Sequence, residues 1–469
     1  MAEKLLVYGM NRFDWWQSED EFLSAGNDFS YSENINIYES PKSIELSKEF
    51  VAIAWFAPAG DITKILRLPN NIQSNIYFSS VWEIFIDSWS WPVLVHTLSA
   101  TDKYILNASC FTNNVLVFTK TEIHKITFTG NDFKTWNSIN EAVLTYTWDY
   151  TGFSTNESKD LPIYNYKDTL LYFGAWNKLF SIGNTISAVS TSDTFRKWTK
   201  IIWFSFLNSS LKIYINYLNV SSELKFWTET QSDWIEYANR VFKSVVSDWQ
   251  LDYVVCTDWL WLYNWVNWTK LFNYNFIEFG KSWTLYYIPQ NLMCIDPFFV
   301  YMAFGKNIIR FGRKFTNLSH WFSISSIEAN YITAISDKLT AAGILYYTWS
   351  NKVWYYQWSN YKTTGYIEWI VFYWETMEKI KKVSSVFNAF SIPTWCSIAV
   401  YFSVNWWNYP ATANFTTTTT AEKFRELFEN ELNNLTYHWI KVKIVLNWSW
   451  TATPKLYEFT MLSSYIKNI

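Results

Sequence analysis

The sequence predicts an all-β fold. Short apolar or alternating runs recur along most of the chain, as in LLYFGAWNKLFSI and FVYMAFGKNIIRF. They come in pairs joined by a short polar turn, the mark of antiparallel hairpins. Successive pairs are spaced by roughly 35 to 50 residues, the period of four-stranded propeller blades.

Residues 1–48 read as an irregular, polar N-terminal arm, with Asp14-Trp15-Trp16-Gln17, then Glu19-Asp20-Glu21, then Ser-, Asn- and Tyr-rich sequence up to Pro41. Without an apolar face of its own, such an arm either wraps the body or docks on a neighbour. Asp14, Trp15 and Trp16 are the residues singled out for an assembly contact, and deleting residues 1–45 is expected to leave a folded monomer that no longer joins an assembly.

Residues 49–361 carry the hairpin pairs, at 50–55, at 76–78 with 82–87, at 115–119 with 123–128, and at 169–173 with 178–182. They continue at 212–217 with 224–228, 253–256 with 261–263, 300–304 with 308–311, and 344–349 with 352–357. At roughly 45 residues per unit this stretch holds six to eight blades. A parallel β-helix and a pair of β-sandwiches are the rival architectures, because the spacing is irregular and no WD or kelch signature recurs. Radial repetition has one physical merit, since it protects strand edges that would otherwise stay unpaired.

Residues 362–469 hold longer, more regularly alternating runs at 366–373, 379–387, 396–404, 439–446 and 455–461, the pattern of a compact β-sandwich. Between the third and fourth lies TTTTTAEKFRELFENELNNL, residues 416–435. Phe424, Leu427, Phe428, Leu432 and Leu435 fall at helical spacing, and Thr419 with Glu422 forms a capping box. One short helix is predicted there.

The turns carry an anomaly. Trp follows Asp or Asn at Asp258-Trp259, Asn264-Trp265 and Asn267-Trp268, and Trp sits in the turn-like 88–91, 248–249, 405–408 and 447–450. Tight hairpin turns need positive φ, which glycine adopts freely and a bulky side chain does not. The chain has 12 Gly and 31 Trp, against roughly 33 Gly expected at the usual frequency of about 7%. Many of these tryptophans therefore read as a codon, UGA, that means glycine in the source and is translated here as tryptophan. Trp203 and Trp227, inside strand-like runs, read as genuine. The alternative is a chain truly rich in Trp, with aromatics that stack on sugars or line an interface.

Net charge is −3 with charges scattered, which argues against a nucleic-acid groove or a polybasic membrane patch. No apolar run reaches the roughly 18 residues of a membrane helix, and the first residues lack the apolar core of a secretory signal. An outer-membrane barrel, suggested by the aromatics, lacks that export signal as well. Cys110, Cys256, Cys294 and Cys396 form no CxxC pair and read as free thiols, as in a reducing cytoplasm.

Chemistry-bearing motifs are sparse. His96, His124, His320 and His438 lie far apart, and neither a zinc spacing nor a nucleophile elbow, P-loop or dinucleotide motif occurs. No cofactor, metal or catalytic residue is expected, and His124 reads as an ordinary strand residue. Glycosidase chemistry needs only two carboxylates, for which Asp87, Asp149, Asp258 and Asp296 stand near strand ends, although each is more simply a turn acid. Were the tryptophans genuine, Trp259, Trp261 and Trp265 would stack on sugar faces.

With glycine in place of tryptophan, the ends of the chain resemble tail-associated virion proteins of tailed bacteriophages. The arm DWWQSEDEFLSAGNDFSYSENINIYESPKSIEL is similar to the lead-in of their propeller-like members, and SVNWWNYPATANF to one of their hairpins. KIVLNWSWTATPKLYEFTML, with Thr453-Pro454 before the last strand, is similar to their closing strands. The resemblance implies a structural virion protein of the tail or connector region, assembled in the host cytoplasm. It implies other virion proteins as partners, with self-association in a ring, and no catalytic residues. A glycan-binding propeller that recognises a receptor, with a surface glycan as partner, and a propeller glycoside hydrolase are the alternatives.

Overall fold

The structure is a computed structural model. It describes residues 5–10, 31–36, 43–68, 75–88, 91–99, 105–119, 121–128, 139–146, 161–166, 168–207, 210–217, 221–228, 231–238, 241–248, 251–256, 260–264, 266–272, 293–296, 299–304, 307–312, 322–326, 332–337, 346–349, 352–371, 381–405, 408–418, 421–428, 435–448 and 452–465. All regular elements among them are strands, so the all-β expectation holds. Residues 1–50, 307–327 and 356–469 form one compact unit, and residues 51–306 with 328–355 form another.

The predicted helix is not there: Ala421–Phe428 is a strand. It runs antiparallel to Lys381–Ile392, with Phe424 opposite Phe390 and Phe428 opposite Val386. Helical spacing of apolar residues is a weak prior, and a long neighbouring strand that offers a continuous hydrogen-bonding edge overrides it. Thr419, one half of the capping box, lies outside the described residues.

Seven four-stranded antiparallel sheets follow one another along the described chain. The first runs from Ile62–Arg67 to Trp91–Thr97, the second from Asn107–Phe111 to Ile139–Thr145, and the third from Ile163–Tyr166 to Val189–Thr194. The fourth spans Thr199–Leu207 to Gln231–Ala238, the fifth Phe242–Asp248 to Trp268–Phe272, and the sixth Met293–Ile295 to Phe322–Ser326. The seventh joins Ala334–Ile335, Tyr346–Trp349 and Lys352–Tyr361 to an early strand, Lys48–Ala52.

Burial explains the residue pattern within a sheet. Asn114–Phe118, the second strand of its sheet, is buried at every position, so it reads NVLVF. A strand covered on both faces has no polar side to alternate with. Val189–Thr194, at a sheet edge, is largely exposed and reads VSTSDT.

Neighbouring sheets share apolar cores. Ile76, Phe78 and Ile86 of the first pack with Val115, Val117 and Ile126 of the second. Leu116 and Phe118 of the second meet Leu171, Phe173 and Phe180 of the third, and Tyr172 of the third meets Ile213 and Trp227 of the fourth. Tyr214 and Leu224 of the fourth meet Val254, Cys256 and Tyr263 of the fifth. Val353 of the seventh packs with Ile62, Ile65 and Tyr77 of the first.

The other unit contains two five-stranded sheets. One places Thr364–Val371, Ile440–Asn447 and Ser397–Val404 side by side, and the other is centred on Lys455–Tyr465 and Lys381–Ile392. Ile440–Asn447 alternates buried and half-buried residues without a break, as a strand with one covered face should. Trp369 of the first sheet meets Phe459 of the second edge-on at 5.8 Å.

The N-terminal arm is woven into this unit. Leu5–Met10 pairs with Lys455–Tyr465, and Tyr31–Glu33 with Thr364–Val371. Ile35, Ile44 and Leu46 are fully buried in the same core as Trp369 and Phe459. At Gly365 an added Cβ would sit 2.6 Å from the Asn34 carbonyl oxygen, so glycine lets the arm lie directly on the sheet. These contacts of the described parts of the arm argue against the expectation that it can be deleted from an intact fold.

Candidate functional site

Two clusters of ionisable groups lie where one sheet meets the next. His96 lies on the last strand of the first sheet, and Glu141 on the last strand of the second. His96 Nε2 is 2.6 Å from Glu141 Oε2, and His124 Nδ1, from the adjacent strand, is 2.6 Å from Glu141 Oε1. Ser99 adds its backbone N–H and its hydroxyl, which donate to Glu141 Oε1 at 3.2 and 2.8 Å. An ionised carboxylate only accepts, so the contacts require the Nε2–H form of His96 and the Nδ1–H form of His124.

Burial by itself would raise the Glu141 pKa, but the hydrogen bonds from His96, His124 and Ser99 outweigh it and hold the group down at about 2. A carboxylate with a depressed folded-state pKa contributes stability above its ordinary value, and that contribution fades as the pH falls toward the folded-state value. Between about pH 6 and about pH 3, urea denaturation is therefore expected to record a larger stability loss for the natural chain than for Glu141→Gln. Equal losses would remove Glu141 as an acid-sensitive contact.

The Ser99 hydroxyl donates to a carboxylate, so no imidazole nitrogen stands ready to take its proton. The two imidazoles direct a nitrogen at Glu141 rather than at a shared point, and among the described residues no group of three or more His, Cys, Asp or Glu is arranged to hold a metal ion.

A second cluster joins the fourth and fifth sheets. Asp252, on Leu251–Cys256, is paired with Lys212 and accepts the Tyr214 hydroxyl, both from Ser210–Tyr217. Ser205 also donates to Asp252, at 3.4 Å, and the Lys212 ammonium lies 5.0 Å from the Tyr263 ring centre. Lys212 and Asp252 are both buried, and burial, then the neighbouring Asp252, pushes the Tyr214 hydroxyl pKa well up. Beside them Asn216 donates to the Phe242 carbonyl at 2.6 Å and accepts its N–H at 2.9 Å.

Other junctions use the same device. Asn107 of the second sheet donates to the Leu161 carbonyl at 2.7 Å, and Asn165 of the third donates to the Cys110 carbonyl at 2.9 Å. The backbone N–H of Ile201, in the fourth sheet, donates to the Trp176 carbonyl at 3.0 Å. Arg67 of the first sheet donates its backbone N–H to Asp337, beside the seventh, at 2.7 Å.

The residues singled out from sequence scatter. His96 and His124 converge on Glu141, whereas the exposed His438 lies on another strand connection, its N–H bonded to Asn405 at 2.7 Å. Asp87 accepts from the Asn75 N–H and side-chain amide at 3.0 and 2.9 Å inside its own sheet. Asp296 accepts the Phe299 N–H at 2.6 Å, as a turn acid does. Trp261 is 5% exposed and packs in the core between the fourth and fifth sheets, so its ring offers no open face to a sugar. Asp14, Trp15, Trp16, Asp149, Asp258, Trp259, Trp265 and His320 lie outside the described residues. None of the four cysteines, all described, is in a disulfide.

Glu141, Lys212, Asp252 and Tyr214 carry no sequence motif. Their one visible signal is parity, because a charge at an inward position of an apolar strand, as in SLKIYINY, must find a partner.

No family model matches the sequence, and no curated protein matches it. Among solved structures, the chain is similar to the Pan2 WD40 domain of Neurospora crassa, at 7% identity and a TM-score of 0.43, over 67% of this chain and 95% of that one. It is also similar to the WD40 β-propeller domain of Doa1, at 11% identity and a TM-score of 0.46, over 66% and 97%. A third likeness is to the extracellular domain of BT4673 from B. thetaiotaomicron, at 12% identity and a TM-score of 0.45, over 74% of this chain and 45% of that one.

Proposed function

We propose that the protein is a structural component of a tailed-phage particle, in the tail or connector region, acting by assembly and protein contact. Its body is a seven-bladed propeller in which each four-stranded sheet is one blade and Lys48–Ala52 completes the last. The two five-stranded sheets with their common core make a C-terminal sandwich.

The observation that carries this reading is how two clusters of ionisable groups, one half-buried and one buried, are used. Glu141 with His96 and His124, and Asp252 with Lys212 and Tyr214, bond one another across neighbouring sheets. Charge used in that way fixes geometry, which suits a rigid building block. The assignment to a phage rests on the resemblance of the two ends of the chain. Quantitative mass spectrometry of purified particles from the phage whose genome encodes the chain should find it in multiple copies per particle. Its absence from the particles would overturn the proposal.

A further inference from the structure

Eleven described residues other than glycine have positive φ, and five of them are tryptophan: Trp55, Trp82, Trp176, Trp198 and Trp395, between 55° and 69°. Composition alone would put about one tryptophan in such a group. Asn34, Asn113, Asn405 and Asp168 belong to the types that tolerate this conformation, and a bulky side chain does not.

Each of these tryptophans occupies a turn. Trp176 is the first residue of a two-residue hairpin loop between Ala175 and Lys178, and Asn177 after it does not have positive φ. That is the position where a type II′ turn takes glycine. Trp82 closes the three-residue loop between Ser79 and Glu83, after a turn in which its N–H donates to the Ser79 carbonyl at 3.1 Å. That is the left-handed position at the end of a three-residue hairpin, again a glycine site.

Trp395 is the third residue of the turn closed by the Cys396 N–H on the Pro393 carbonyl at 3.1 Å, where a type II turn requires positive φ. Trp55 and Trp198 end two-residue turns at 54–55 and 197–198. Trp55 is 91% exposed and Trp395 85%, so these two indoles gain little in return, whereas Trp198 is 45% exposed and Trp176 is buried. The buried Nε1–H of Trp82 has no hydrogen-bond acceptor among the described residues.

We infer that positions 55, 82, 176, 198 and 395 are glycine in the protein as its source makes it, their codon being read there as glycine and here as tryptophan. Trp369 is a true tryptophan by the same criteria: it is buried, lies within a strand, lacks positive φ and meets Phe459 edge-on. Of the turn tryptophans that stand out in the sequence, Trp91, Trp268 and Trp448 are described and none has positive φ, Trp91 being the first residue of the strand Trp91–Thr97. Trp268 lies in a strand, 4.6 Å from the Tyr263 ring centre, and Trp448 packs on the core of its unit. The inference does not extend to these three, and it is independent of the proposed role in a particle.

The test is peptide mass spectrometry of protein from its native source, read beside the coding DNA. Glycine masses at the five positions and a tryptophan mass at 369 are expected, with UGA codons at the five and UGG at 369. Tryptophan masses at the five positions would overturn the inference. Recombinant protein gives a second measurement: the chain with all five Trp→Gly changes should melt at a higher temperature than the tryptophan chain, whereas Trp369→Gly should lower the melting temperature. An equal or lower melting temperature for the five-site variant would count against the assignment.

Discussion

Asp252→Ala is expected to destabilise the protein by about 3–5 kcal/mol, the cost of leaving a buried charge without its partner. Lys212 is fully buried between two sheets, its neighbours are aromatic rings, and the Asp252 carboxylate balances its charge. Without that carboxylate, the buried ammonium loses the opposite charge paired with it. Replacing both partners by apolar residues, Lys212→Met with Asp252→Leu, removes the desolvation penalty along with the attraction. Such exchanges are often neutral or stabilising by about 1–4 kcal/mol. Urea denaturation of the two variants separates the cases. A loss below about 1 kcal/mol for Asp252→Ala, the value of a surface pair, would mean that water reaches the site.

Deleting residues 1–45 should unfold the unit that contains the C-terminal sheets. The deletion removes Ile35 and Ile44, each fully buried, and burial of such a side chain is worth about 1.5–3 kcal/mol. It also strips the strand that covers Lys455–Tyr465 and the backbone bonds, 3.0 and 3.1 Å, between Ile44 and Leu456. Two exposed edges and a breached core together approach the whole stability of a domain, about 5–15 kcal/mol. Loss of near-ultraviolet circular dichroism from the aromatic core of that unit, with rapid proteolysis after residue 362, is the expected result. A truncated chain that keeps its dichroism and resists the protease would show that the arm only decorates the surface.

How much of this was legible in the sequence varied with burial. Interior strands such as Asn114–Phe118 and Leu251–Cys256 read clearly, because strands covered by neighbours on both faces are written in apolar residues. Outer strands such as Val189–Thr194 did not, since half of the side chains meet water and the composition matches that of a loop. Residues 421–428 misled because their apolar residues fall at helical spacing, and the pairing with Lys381–Ile392 that makes them a strand is not a local property.

The polar clusters were the least legible part. His96 and Glu141 stand 45 residues apart in sequence, and strand order and register, which bring them together, are not local properties. The turn anomaly, by contrast, was visible at once, although the particular positions were not. Positive φ falls at Trp55, Trp82, Trp176, Trp198 and Trp395, whereas Trp268, which follows Asn as a turn residue would, belongs to a strand.

The early strand Lys48–Ala52 finishes a sheet whose other members lie between Ala334 and Tyr361. On a ribosome adding about 5–20 residues per second, that strand waits roughly 15–60 s before its partner emerges. During the wait the segment KEFVA is an open ladder, and any other nascent copy can capture it. Polysomes crowded with this message are thus the place where two chains can exchange ends, and slow, spaced initiation would favour each chain closing on itself.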